Sequence, residues 1–186
     1  AGLLSAGMNV LDAGVITTGG FATYLTRRRL AGGVLITGSH TPPDRIGYIA
    51  MMPDGAYVPD AVAARLEAAY DRALRGERPA PPPVKDRIGT ARPAEGVVEP
   101  YMESLMSAGD VERIRARRFR VLVDPVNGTA AGPIQDLLRR LGCEVFEING
   151  TRSPEFGRPS EPRAATLGPA AAATLAHRCD LGLGTD

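Results

Sequence analysis

The densest chemistry in the 186-residue sequence lies between Gly33 and Gly47, where an apolar run leads into Thr37-Gly38-Ser39-His40. Two prolines, Pro42 and Pro43, stiffen the segment after His40. A strand that delivers a hydroxyl into such a loop at the carboxyl edge of a sheet can hold it exposed, with the fixed line of approach a serine nucleophile needs. Gly38 allows the chain to turn there without a Cβ clash. The same residues equally allow Ser39 to do no more than satisfy backbone groups of a turn. An isolated His40 is as readily a hydrogen-bonded loop residue as a proton carrier.

Other reactive side chains point less sharply. Cys143 and Cys179 each open an apolar run, and no Cys or His spacing suited to a metal surrounds either. They read as buried free thiols. Asn127-Gly128 reads as a turn before a helix rather than an anion site, because it lacks a full phosphate-binding glycine signature. Arg113, Arg115, Arg117, Arg118 and Arg120 read as a solvated face, and His177 as a residue near a helix end with no catalytic part. Lys and Arg number 22 against 21 Asp and Glu, well mixed, for a formal net charge of +1. That balance gives no footprint for nucleic acid or an anionic membrane. No stretch approaches the ~20 apolar residues of a membrane span, and a cytoplasmic protein is expected.

The elements that position these residues follow from periodicity. A strand over 8–11, a turn through Gly14 and a helix from about Gly20 to Arg29 precede Val34-Leu35-Ile36, which reads as a fully buried strand. Pro53-Asp54-Gly55 reads as the turn of a hairpin between 48–52 and 56–58. Residues 59–74 read as a helix with Val62, Leu66, Ala69, Tyr70 and Ala73 on one face and Gly76 after its end. Residues 78–96, rich in proline, form the expected linker between a first unit at 1–77 and a second at 97–186. In the second unit, helices are expected at 98–106, 111–118, 133–141 and 168–177, and strands at 120–124, 143–148 and 180–184. Strands alternating with helices predict parallel βαβ units. The fold class is therefore α/β, two α/β/α layered domains with mixed or parallel sheets.

The motif TGSHTPP at 37–43 resembles the phosphoserine loop of the α-D-phosphohexomutases, the phosphoglucomutases, phosphomannomutases and phosphoglucosamine mutases. The likeness continues in order through VEPYMESL at 98–105, the run from Arg120 to Asn149, the segment around Glu155-Phe156, and CDLGLGTD at 179–186. It implies that Ser39 is phosphorylated, gives its phosphoryl group to one hydroxyl of a bound hexose phosphate, and recovers one from the other end of the bisphosphate. It implies that His40 positions or protonates the reacting hydroxyl, and that Thr37 and Gly38 support the loop. It further implies a Mg²⁺ ion held by the Ser39 phosphate and by Asp186, which matches the first aspartate of the family's D-x-D-x-D-R loop; the terminal residue itself reads as frayed.

The sequence departs from the family at two points. Ile46-Gly47-Tyr48-Ile49 stands where a lysine is common, with Arg45 the nearest cation, and Thr41 stands where asparagine is usual. A divergent mutase is one expectation, and a non-catalytic sugar-phosphate-binding homologue is the alternative. A serine hydrolase ranks last, since no water-activating base accompanies Ser39. The family's third and fourth domains and its first strand are not in this chain, so the chain alone is expected to be inactive. Which sugar is used, and the oligomeric state, are left open.

Overall fold

A computed structural model describes residues 2–38, 45–77 and 87–186. Ser39 and His40, and with them most of the TGSHTPP motif, lie outside the described residues.

The second unit is organised by one strand. β5 (Arg120–Asp124) carries three consecutive β-branched or leucine side chains, and Val121, Leu122 and Val123 are all at most 1% exposed. It is flanked in parallel by β6 (Glu144–Glu147) and β7 (Leu181–Gly184), giving the order β6-β5-β7. A central parallel strand buried on both faces reads as a continuous apolar run, which is what the sequence shows. Val121 and Val123 pack with Leu181, Leu183 and Leu138 of α6 (Pro133–Arg140). The alternate residues face α7 (Gly168–Ala176), whose Thr174 lies so close that a Cβ on Gly182 would clash with its Oγ1. Helices therefore cover both faces, as expected for this half of the chain.

The first unit is thinner. α1 (Gly2–Ser5) leads into β1 (Val10–Asp12). α2 (Thr18–Arg28) starts where the Thr17 hydroxyl accepts the Gly20 N–H, earlier than the expected Gly20, and ends on Arg29 in the left-handed region. Phe21 and Leu25 of α2 join Ile16 and Met51 in a core to which Leu35 and Ile49 add. β2 (Gly33–Thr37) and β3 (Gly47–Met51) form an antiparallel ribbon with Leu35 opposite Ile49.

Contrary to expectation, β2 is not buried on both faces: Val34 and Ile36 are 46% and 61% exposed, because α2 covers only the other side of the ribbon. The hairpin around 53–55 forms in short: Asp54 Oδ1 accepts the Ala56 N–H, and the Met52 N–H donates to the Ala56 carbonyl and the Val58 N–H to the Ala50 carbonyl about the antiparallel bridge Met51 to Tyr57, while β3 also pairs along its length with β2. The helix α3 (Asp60–Leu74) exists, yet it buries no residue, and Leu66 and Tyr70 are exposed.

The stretch read as a linker contains β4 (Ala91–Pro93), which pairs in parallel with β1, Val10 opposite Ala91. Pro93 donates nothing to the ladder, and it stands at the last position of an edge strand where that is tolerated. Val97 then packs on the first core. α4 (Glu99–Ala108) lies against α2, with Tyr101 Oη 2.8 Å from where a Cβ on Gly19 would sit, and it is tied to α6 by Glu99 and Arg140. α5 (Val111–Arg117) is capped by Asp110, and its Arg115 donates to the Arg140 carbonyl. Arg120 likewise leaves the solvated face assigned to it: it pairs with Glu144 and stacks on Phe146, which stacks on His177. Both cysteines are free but half-buried rather than buried, and burial pushes both thiols up.

Candidate functional site

In a three-stranded parallel sheet of order β6-β5-β7, the chain leaves β5 toward one edge and returns to the other. The topological switch point therefore falls between the carboxyl ends of β5 and β7, where α/β folds place their ligands. Asp124 ends β5 there, and Thr185 and Asp186 follow β7. Asp186 is exposed, as a residue able to meet a ligand must be.

A buried ion pair builds the floor. Arg158, 5% exposed, donates through Nε to Oδ2 of Asp124, 1% exposed, at 2.7 Å. Its Nη1 donates to the carbonyls of Pro159 and Ser160, and its Nη2 to the carbonyls of Thr185 at 2.7 Å and Asp124 at 3.4 Å. Asp124 Oδ1 accepts the Val126 N–H and the Asn149 side-chain amide. Both charges are thus paired and their remaining hydrogen-bonding positions filled, the condition under which burying them is tolerable.

The backbone beside this pair is held in an unusual form. Val126 and Asn127 adopt φ of 51° and 62°, and Val126 is fully buried. A β-branched residue in the left-handed region is a strained position that persists only where its surroundings fix it. Here Asp124 binds the Val126 N–H, Asn149 O accepts from Asn127 N at 2.7 Å, and Ser153 N donates to Asn127 O. The turn brings Gly128 against the end of β7, where a Cβ would lie 3.4 Å from the Asp186 carbonyl. At the start of α6, Gln135 Oε1 accepts the Gly132 N–H. The Asn127-Gly128 segment is a satisfied βα turn, as read from the sequence.

The chain shows two matches in order. Residues 1–76 match the family described as phosphoglucomutase/phosphomannomutase, alpha/beta/alpha domain I, and residues 99–186 match its alpha/beta/alpha domain II. The chain belongs to the phosphoglucomutase/phosphomannomutase family. Among its relatives, a phosphoglucosamine mutase of Symbiobacterium thermophilum is 38% identical over 80% of this chain and 32% of its own length. A phosphoglucomutase/phosphomannomutase of Thermococcus kodakarensis is 33% identical over 90% of this chain and 36% of its own. A crystal structure from Thermus thermophilus carrying a phosphomannomutase assignment superposes with a TM-score of 0.81 over 99% of this chain and 41% of that one, at 23% identity, a likeness of fold. The chain thus spans between 32% and 41% of the length of these relatives.

Of the residues singled out from the sequence, Asp186 lies at the switch point and Thr37 at the end of β2, half-buried and opposite Gly47 across the ribbon. Gly38 follows it, half-buried. Arg45, re-entering the same ribbon, is exposed. Asp124, Arg158 and Thr185 were not singled out. Asp124 carried a signal, a carboxylate at the end of an apolar strand and before a proline. Arg158 carried none, since its partner is 34 residues away.

Magnesium takes hard oxygen ligands, and the exposed Asp186 carboxylate is of that kind. Among the described residues no group of three or more His, Cys, Asp or Glu is gathered. Asp186 therefore fits such an ion as one ligand of a larger set. No helix among the described residues is long and apolar enough to cross a membrane.

Proposed function

We propose that these residues are the phosphoserine-bearing and metal-loop part of a cytoplasmic hexose phosphate mutase, with Ser39 as the phosphoryl carrier. What carries the reading is the placement of Asp186. Asp186, which by resemblance matches the first aspartate of the family's metal loop, is exposed at the switch point, on a chain whose two family matches fall in the family's order. Named relatives are mutases, which favours catalysis over a binding homologue.

In this reading the hexose phosphate presents a free hydroxyl to phosphorylated Ser39. The Ser39 Oγ–P bond breaks as a bond from the sugar oxygen to phosphorus forms, and the hydroxyl proton passes to His40. The sugar then carries two phosphates. After it turns over in the site, Ser39 Oγ takes the other phosphoryl group, His40 returns the proton to the sugar oxygen left behind, and the isomeric monophosphate departs. Such transfers depend on alignment and on neutralising the three equatorial oxygens. Mg²⁺, held by the Ser39 phosphate and Asp186 with further ligands, supplies that neutralisation when bound. Thr37 and Gly38 hold the approach: Thr37, paired across the ribbon with Gly47, fixes one anchor of the segment.

A coupled mutase assay of the full-length protein with glucose, mannose and glucosamine phosphates tests this. Turnover of at least one, lost to background in Ser39→Ala, is expected. An alanine variant with undiminished turnover would overturn the assignment.

A further inference from the structure

Two hydrogen bonds fix the residue before Asp186. Thr185 donates its N–H to the Asp124 carbonyl at 3.1 Å, and its own carbonyl accepts from Arg158 Nη2 at 2.7 Å. The peptide joining Thr185 to Asp186 is planar, so anchoring its carbonyl oxygen fixes the plane from which the Asp186 Cα departs. The anchor is itself rigid. The Arg158 guanidinium has Nε on the Asp124 carboxylate and its two other nitrogens on four carbonyls, which leaves it no second orientation.

We infer that Arg158 is a positioning residue for the metal-binding loop: braced by Asp124, it aims Asp186 at the ion without touching it. The inference rests on the mutase reading and adds to it a residue outside the metal-binding and phosphoserine motifs. Three segments meet at this guanidinium, the end of β5, the 158–160 stretch and the end of β7, so one side chain sets the register of the residues after β7 against the sheet. A second observation marks the same spot. The Thr185 hydroxyl is enclosed and has no hydrogen-bond partner among the described residues, whereas buried hydroxyls in finished sites are nearly always paired. The edge beside Asp186 is where a further polar group completes the site.

The test uses the full-length protein and Mn²⁺ as the probe, its free ion counted by electron paramagnetic resonance. Arg158→Lys keeps the charge but loses the planar fork that serves Asp124 and Thr185 together. Residues that orient metal ligands typically contribute about 10–100-fold in metal affinity, and a loss in that range is expected. A role confined to stability would lower the melting temperature and leave Mn²⁺ affinity within about twofold of the parent, and that result, in a folded variant, overturns the inference. If Arg158→Lys fails to fold, the paired replacement Asp124→Asn with Arg158→Met removes both buried charges at once while an amide oxygen at 124 can still accept the Val126 N–H and the Asn149 amide. The same loss of Mn²⁺ affinity is expected of it, and unchanged affinity again overturns the inference. A parent protein that neither binds Mn²⁺ nor turns over a hexose phosphate would instead remove the mutase reading itself.

Discussion

The strands that lead toward the two proposed site residues, Ser39 and Asp186, are held by unequal amounts of structure. β5 and β7 are held by a parallel sheet with a helix on each face, and the residues leaving them are locked by a buried ion pair. β2, which leads toward Ser39, belongs to a two-stranded ribbon with one face on α2 and the other open, Ile36 and Tyr48 pairing there at 61% and 67% exposure. In the mutase proposed above, the metal ligand would have to stay in place through every step, whereas the phosphoryl carrier would present its group twice.

The sharpest way to break that comparison is to truncate one residue on each side. Leu122→Ala removes a fully buried side chain from the central strand and is expected to cost roughly 2–5 kcal/mol in denaturant unfolding. Ile36→Ala, on the open face of the ribbon, is expected to change stability by no more than about 0.5 kcal/mol. Equal losses would mean that the ribbon's outer face is covered in solution. Between these lies the cap of α2, the helix supporting the ribbon. Thr17→Ala removes the side-chain acceptor for the Gly20 N–H and should cost about 1 kcal/mol, read from the same unfolding curves.

The smallest effect concerns the tie between α4 and α6. The hydrogen bond from Arg140 holds the Glu99 carboxyl below its ordinary value of 4.5, with partial burial opposing and the Arg140 charge adding. A depressed carboxyl pKa contributes stability that is complete above the ordinary value and disappears as pH falls through the lowered one. Glu99→Gln should therefore be slightly less stable than the parent at neutral pH, with the difference closing as pH falls through the lowered value. Because the pair is exposed, 0.5 M salt should shrink that difference further.

How much of this was legible depends on the range of each interaction. β5 was, since its apolar run and the turn and helix after it are local signals. The parallel pairing of β5 with β6 and β7 followed from alternation of strands and helices. β2 misled, because a short apolar run cannot by itself distinguish burial on two faces from burial on one. β4 was hidden because Ala-Arg-Pro has no strand pattern and its pairing with β1 joins residues 81 positions apart, as the Thr90 to Asn9 hydrogen bond does. Ser39 and Asp186 stood out through their motifs, and of the two the structure describes Asp186. Arg158 did not, since a lone arginine between glycine and proline says nothing of the carboxylate that will bury it.

Whether this chain belongs to a working mutase turns on where the phosphoryl group rests between turnovers. Full-length protein, isolated as the phosphoenzyme and digested, can be mapped by tandem mass spectrometry before and after incubation with a hexose monophosphate. One phosphate is expected, on Ser39, and it exchanges with the sugar. A phosphate on any other residue, or one on Ser39 that never leaves for the sugar, would contradict the role given to Ser39.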